Sequence, residues 1–143
     1  MAETSPNLKE SIAGTPVSAV PLAPLLAAAW LIPGAGHFLL NRKTRAALLF
    51  GCVVVSFVAG LMMRGYLFAP QTGDLFTTLI YVGGFIGNLA AGVPFLATKG
   101  LGYAQPDMAG HVHDYGTKLL VAAGLMNILA IVDAYEIVRG KKV

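Results

Sequence analysis

Uncharged apolar runs of membrane-spanning length are the feature that most restricts how this chain can fold. Residues 46–63 contain no charged side chain and are followed by Arg64 and Tyr66, residue types that are typical of the membrane interface. A helix rises about 1.5 Å per residue and needs about 20 residues to cross the hydrocarbon core of a bilayer. We therefore predict a transmembrane helix over 46–63.

Two further runs follow toward the C-terminus. Residues 75–97 are also uncharged and begin just after Asp74, a residue type that favours helix starts. Apart from Lys118 in their first turn, residues 117–138 are apolar through Ile131 and then reach Asp133, so their last turns are expected in the headgroup layer. Both runs predict transmembrane helices.

The run at 22–40 is less regular, because Pro33 and Gly34 must kink or end a helix there. It could cross as a broken helix, or enter the bilayer and return. With this run included, the sequence predicts an all-α integral membrane bundle of about four transmembrane helices, arranged as two hairpins.

Composition agrees with a membrane location. Only 12% of the residues are charged, against roughly 25% in soluble domains. The charges lie almost entirely between and outside the apolar runs and form no basic stripe, so we expect no nucleic-acid partner. The lipid bilayer is the predicted partner, together with a second copy of the chain or a larger membrane protein, and no cofactor is predicted.

The chain divides into four predicted parts. A flexible polar tail occupies 1–20, a first helical hairpin 21–64, a second hairpin 65–138 and a short basic tail 139–143.

The first hairpin contains two adjoining motifs. The sequence PGAGHF at 33–38 leads directly into NRKTR at 41–45, after which another apolar run begins. This segment resembles the two-transmembrane ("TM-two") domain family, whose members pair a Gly-rich, His/Phe-bearing helix end with a short basic turn. The resemblance covers about 25–63, and it implies a tight hairpin with a basic turn. Leu39 stands where that family usually has a second aromatic residue.

The whole layout is also similar to an uncharacterised bacterial four-span family related to that domain. The similar segments are HDYG at 113–116, NIL at 127–129 and DAY at 133–135. This resemblance implies a bacterial inner-membrane protein and no assigned activity.

Orientation is nearly balanced by the positive-inside rule. In the four-span layout, one face carries Arg42, Lys43, Arg45, Lys99 and Lys118, and the other carries Lys9, Arg64, Arg139, Lys141 and Lys142. The basic turn directly after the first run favours that turn in the cytoplasm and both termini outside.

Small and polar residues on the last two runs are predicted to hold the helices together, since lipid offers helices no hydrophobic reason to associate. The residues concerned are Gly83, Gly84, Gly87, Asn88, Ala91, Gly92 and Asn127. Asn88 and Asn127 should face the interior at similar depth and bond to each other. The glycines either pack helices within one chain or form a partner interface.

Four residues are candidate metal or haem ligands, which the four-span layout puts on one membrane face: His37, His111, His113 and Asp114. Imidazole is a common ligand, but a defined site needs three or four converging groups, so interfacial loop histidines are the preferred interpretation.

A second set is interpreted as interfacial charge: Arg42, Lys43, Arg45, Arg64, Asp133, Glu136 and Arg139. Arg64 is the predicted interhelical partner of the carboxylates at Asp133 and Glu136. The break at 33–36 could also expose backbone to an ion or substrate, as broken helices do in transporters, but no second break matches it.

The predicted function is a non-catalytic accessory or scaffold subunit of a membrane assembly. The alternatives are a small oligomeric transporter or channel, a metal- or haem-binding redox subunit, and a membrane enzyme acting on lipids or peptides. A transporter is favoured if Asn88, Asn127 and the break at Pro33 line one cavity.

Overall fold

The computed structural model describes residues 21–104 and 111–141. These residues form α-helices and contain no strand, which confirms the all-α prediction. The helices in chain order are α1 (Leu22–Leu31), α2 (Ala35–Leu39), α3 (Lys43–Met62), α4 (Leu75–Ala90), α5 (Val93–Gly100) and α6 (Val112–Val138). The predicted tail at 1–20 lies outside the described residues, as do the last two residues of the predicted basic tail.

Two of these helices are long and apolar enough to cross a membrane, namely α3 and α6. They contain 20 and 27 residues, which corresponds to lengths of about 30 and 40 Å at about 1.5 Å per residue. The predicted runs at 46–63 and 117–138 are therefore confirmed as helices of spanning length. Each helix begins a few residues before its run, at Lys43 and Val112.

The two long helices are antiparallel, and glycines bring their backbones together at one end. A Cβ atom at Gly60 would lie 2.8 Å from the Gly116 carbonyl oxygen, and one at Gly65 would lie 2.4 Å from the Gly116 carbonyl carbon. We call this the Gly116 end of the bundle. The opposite end is called the Arg42 end, where the chain turns from α2 into α3 and where α6 finishes.

The first apolar run forms two short helices. α1 has 10 residues, or about 15 Å, which is too short for a hydrocarbon core of ~30 Å. Pro33 follows α1 and cannot donate a helical hydrogen bond, and Gly34 then adopts a left-handed φ of 80°. A Cβ atom at Gly34 would lie 2.5 Å from the Ala46 carbonyl oxygen, so the turn packs directly on α3. The predicted break is confirmed, whereas a full crossing by this run is not.

The prediction of one continuous helix over 75–97 is wrong. α4 begins after Asp74 as expected, but α4 and α5 are bent from each other by 105°. Gly92 at the bend has a φ of 72°, and a Cβ atom there would lie 2.2 Å from the Trp30 carbonyl oxygen. Pro94 follows in the first turn of α5, where proline is tolerated. The length of an uncharged run predicts a helix, but here Gly92 and Pro94 decide where the helix ends.

The bent pair α4–α5 enters and leaves the bundle at the Gly116 end. α4 finishes with the Ala90 carbonyl beside Asn127, near the middle of α6. Beyond α5, the Tyr103 hydroxyl donates to the Gly65 carbonyl oxygen at 3.2 Å. The described chain thus has two helices long enough to cross a membrane, or three if the bent pair is one span, and four crossings are not confirmed.

The central helix is α6, which packs against α1, α2, α3 and α4. The apolar core lies between α6, α3 and the bent pair, together with one residue of the loop after α3. Its buried members are Val53, Phe57, Leu67, Ala91, Phe95, Leu120 and Ala123. The division into two hairpins at 21–64 and 65–138 remains a prediction.

Candidate functional site

One amide side chain on α6 joins the ends of two other helices. Asn127 is fully buried, and its Nδ2 atom donates to the Trp30 carbonyl oxygen at 3.2 Å and to the Ala90 carbonyl oxygen at 2.8 Å. These oxygens belong to the last turns of α1 and α4, where the final four carbonyls have no donor within the helix. Asn127 therefore satisfies one such carbonyl on each helix and holds both breaks at the middle of α6.

The two helix ends also contact each other. Trp30 Nε1 donates to the Leu89 carbonyl oxygen at 3.2 Å. The close approach of α4 to α6 also depends on glycine, because a Cβ atom at Gly124 would clash with the Gly87 carbonyl oxygen. The sequence interpretation missed Gly124, although it stands three residues before Asn127 on the same face of the helix.

Asn88 is as deeply buried as Asn127, and both have 0% exposure. Their predicted interior position is therefore confirmed. The predicted bond between them is wrong: in the described part of the chain, Asn88 Oδ1, Asn88 Nδ2 and Asn127 Oδ1 have no hydrogen-bond partner. Asn88 therefore contributes no hydrogen bond within the described part of the chain, whereas Asn127 contributes two.

The small residues of α4 divide between the interior and the outer surface. The members that pack within the chain are Gly84, Gly87 and Asn88 on α4, together with Ala91 and Gly92 at the bend after it. At Gly87, for example, a Cβ atom would lie 2.9 Å from Val121 Cγ1. Gly83 differs, because no atom lies within 4 Å of its Cβ position. Intrachain packing thus accounts for every member of the set on α4 except Gly83.

At the Arg42 end, a histidine on α2 contacts the last turns of α6. His37 Nε2 lies 2.9 Å from Asp133 Oδ2, and the side-chain exposures are 1% and 30%. The layout predicted these residues on opposite faces. That prediction is wrong because α6 runs toward the Arg42 end of the bundle. α6 has this direction because the bent pair α4–α5 returns to the Gly116 end, where it began.

The other predicted metal ligands lie at the Gly116 end. His113 Nε2 is 3.2 Å from Asp114 Oδ1, and His111 is exposed just before α6. Within 21–104 and 111–141, no three His, Cys, Asp or Glu side chains are grouped in a way that suits a metal ion.

The length of α6 separates these residues from His37. His37 contacts Asp133, and Asp133 is about 30 Å along the helix from His113 at about 1.5 Å per residue. A metal or haem site shared by His37 with His111 or His113 is therefore wrong on geometry.

Most of the described cations lie at one end of the bundle. Those at the Arg42 end are Arg42, Lys43, Arg45, Arg139 and Lys141, while Arg64, Lys99 and Lys118 lie toward the Gly116 end. Lys9 and Lys142 lie outside the described residues. For the described cations the even division between two faces is therefore wrong, again because of the direction of α6.

The predicted contact of Arg64 with the carboxylates of α6 is wrong for the same reason. Asp133 and Glu136 lie at the Arg42 end, and Asp133 bonds to His37. The Arg139 guanidinium lies over the Tyr135 ring, 5.2 Å from its centroid.

Tyr103 is a contact residue that had no signal in the sequence. Its hydroxyl donates to the carbonyl oxygens of Leu61 and Gly65, at 3.5 and 3.2 Å. Burial raises the pKa of Tyr103 above its ordinary value, and the nearby charge of Arg64 lowers it in part. The contact ties the segment after α5 to the end of α3.

Two open grooves lie on the outside of the bundle. One of about 440 Å³ borders Gly84 and Val121, and one of about 510 Å³ lies beside Pro33 and Gly34. Neither groove is lined by an asparagine. The cavity joining the two asparagines and the first break, which would favour transport, does not occur among these grooves.

A family model described as a family of unknown function, DUF6677, matches residues 24–143. The match covers all the described helices except the first two residues of α1. Comparison with curated proteins and with solved structures gives no match.

Proposed function

The chain belongs to the DUF6677 family, and we propose that it is a non-catalytic, multi-span membrane protein that serves as an accessory or scaffold subunit of a membrane assembly. The lengths and apolar character of α3 and α6 support the membrane setting. The similarity of the whole layout to an uncharacterised bacterial four-span family supports a bacterial inner membrane.

The observation that supports this function best is an apolar interior in which two buried polar side chains, Asn127 and His37, join helices. Asn127 donates to the ends of α1 and α4, and His37 joins α2 to α6. Around them the core is filled by side chains such as Phe57, Phe95 and Leu120, each with at most 2% exposure. Polar groups that are used to hold backbone in place are unsuited to binding and releasing a substrate.

The distribution of cations supports an orientation with the Arg42 end in the cytoplasm. The turn at 42–45 and the end of α6 both contribute positive residues there, and short loops rich in Lys and Arg stay on the cytoplasmic side. In this orientation the C-terminus is cytoplasmic, opposite to the expectation from four crossings.

The outward face of α4 is the surface best suited to a larger membrane partner. Leu79 and Ile86 are 68% and 53% exposed, and Gly83 lies between them with open space at its Cβ position. Small residues let two transmembrane helices approach closely, so a partner helix could pack along this face.

The test is mild-detergent extraction of tagged protein from its native membrane, followed by native sizing and identification of co-purifying proteins. We expect a stoichiometric larger partner, which Gly83→Leu should remove. Gly51→Leu is the matched control, because Gly51 is another glycine in a long helix with open space at its Cβ position. Recovery of both variants and the wild type as the same lone species would refute the accessory function.

A small oligomeric transporter is the second candidate, and one observation favours it. The breaks after α1 and α4 meet at Asn127, so the break near Pro33 does have a counterpart. Transporters build their ion sites from paired broken helices of this kind. The two grooves of about 440 and 510 Å³ are lined by neither Asn88 nor Asn127, which argues against it.

Purified protein in proteoliposomes separates the two candidates. Ion or solute flux that Asn127→Leu abolishes, in a lone oligomer, would favour transport. Liposomes as tight as protein-free controls would favour the accessory function.

A further inference from the structure

An apolar groove lies where the chain breaks between α1 and α2 and packs against α3. Its volume is about 510 Å³. Ile32, Phe38 and Phe50 line it and are 48%, 61% and 47% exposed. Large apolar side chains that are open to the surroundings form a channel suited to a hydrocarbon chain.

The backbone geometry of the break creates this groove. Gly34 turns with a positive φ, and its backbone lies close to the backbone of Ala46, so the break between α1 and α2 lies directly on α3. The wall contributed by α3 consists partly of small side chains, Ala46 and Ala47. A bulky residue at either position would fill the groove.

The groove ends at a concentration of positive charge. Lys43 lines both the groove and an adjoining pocket of about 380 Å³ that is formed by 41–45. Within the described chain, Arg42, Lys43 and Arg45 make no ion pair. The same turn starts α3, and no side chain caps the helix there, so the positive end of the helix dipole adds to the field.

We infer that this groove and turn form a binding site for one anionic phospholipid. An acyl chain lies along Ile32, Phe38 and Phe50, and the headgroup phosphate contacts Lys43 with its neighbouring arginines. Apolar lining joined to unpaired cations at the start of a membrane-spanning helix matches the two halves of such a lipid. The inference goes beyond the accessory function and requires only that the chain is embedded in a membrane.

The experiment is native mass spectrometry of the full-length protein in detergent, with equimolar phosphatidylglycerol and phosphatidylcholine of the same acyl chains. We expect preferential retention of one phosphatidylglycerol. Lys43→Gln should weaken that retention about five-fold, which corresponds to ~1 kcal/mol for one cation near a membrane surface. Lys118→Gln, which removes a cation at the opposite end, is the charge control and should leave retention unchanged.

A second pair of variants tests the acyl-chain part of the site. Ala47→Phe adds bulk inside the groove, whereas Val55→Phe adds bulk at a position of the same helix that is 68% exposed. We expect only Ala47→Phe to reduce lipid retention. The charge variants, which leave the groove intact, keep the test valid if Ala47→Phe does not fold.

Three results would overturn the inference. Equal retention of both lipids by the wild type would mean that lipid only surrounds the protein non-specifically. An equal loss of phosphatidylglycerol retention in Lys43→Gln and Lys118→Gln would mean a non-specific effect of charge. A change of oligomeric state in Ala47→Phe without a change in lipid retention would assign the groove to a second copy of the chain.

Discussion

Replacing Asn127 by leucine tests whether one amide holds two helix ends. Leucine is similar in size but has no donor, so the carbonyl oxygens of Trp30 and Ala90 both lose their bond to α6. The Trp30 indole bond to the Leu89 carbonyl remains and links α1 only to α4. We therefore expect both breaks to loosen together.

The magnitude follows from the number of bonds. Interhelical hydrogen bonds in membrane proteins contribute about 0.6 kcal/mol on average and up to about 1.7 kcal/mol each. Loss of two bonds lowers the free energy of unfolding by about 1 to 3 kcal/mol. The matched control is Asn88→Leu, the same substitution at the same burial. Asn88 has no partner among the described residues, so its replacement should be neutral or stabilising.

The assay is reversible unfolding of the purified protein in mixed micelles, followed by circular dichroism, with wild type and both variants under one condition. The reasoning predicts a clear order: Asn88→Leu at or above the wild type, and Asn127→Leu below it. Equal destabilisation by the two leucines would refute it, because burial of an amide and not the bonds of Asn127 would then decide stability.

Three further predictions concern packing, the Arg42 end and topology. Gly124→Ala should destabilise the fold by about 1 to 3 kcal/mol through overpacking. Gly83→Ala should be neutral or slightly stabilising, because the added Cβ atom meets open space. Chemical unfolding of both variants measures the difference in the free energy of unfolding. His37→Leu should lower the free energy of unfolding by about 1 kcal/mol through loss of its bond to α6, and an unchanged unfolding curve would contradict a stabilising role for that contact. In a background without the native cysteine, cysteines placed at Gln71 and Ala104 should react with an impermeant thiol reagent added on the same side of the membrane. A cysteine appended to the C-terminus should react with reagent added on the opposite side. If the cysteine at Ala104 instead reacts from the same side as the C-terminal cysteine, α4–α5 crosses the membrane.

Run length and charge predicted the two long helices well, because a helix of about 20 apolar residues has few other uses in a protein of this composition. They failed where a local backbone feature interrupts an apolar run. At 75–97 the composition gives no warning, and the break depends on Gly92 and Pro94, whose effect is set by contact with α1. Because the prediction missed this one break, it gave α6 the wrong direction. The predicted positions of His37, Asp133 and the cations relative to one another were therefore also wrong.

The residue types of the candidate site could be predicted from the sequence, but their hydrogen-bond partners could not. Asn88 and Asn127 are both buried, as two amides in apolar runs imply. Which carbonyl an amide meets depends on where helices end, and hydropathy places helix ends poorly. A bond between two amides in adjacent helices is expected only if both helices are continuous, and the run at 75–97 is broken after α4.

The arrangement around Asn127 makes α6 the element on which the rest of the bundle depends. The other long helix, α3, faces the core with apolar residues such as Val53 and Phe57 and offers the broken helices no comparable donor. Both α1 and α4 end against α6 at one level, and the Trp30 and Ala90 carbonyl oxygens share Asn127 as their donor. A perturbation at Asn127 should therefore increase hydrogen exchange in the last turns of α1 and α4 by similar factors, while the amides in the middle of α3 stay protected. Unequal effects on the two ends would mean that each break is stabilised mainly by its own glycine and proline, with Asn127 contributing to only one.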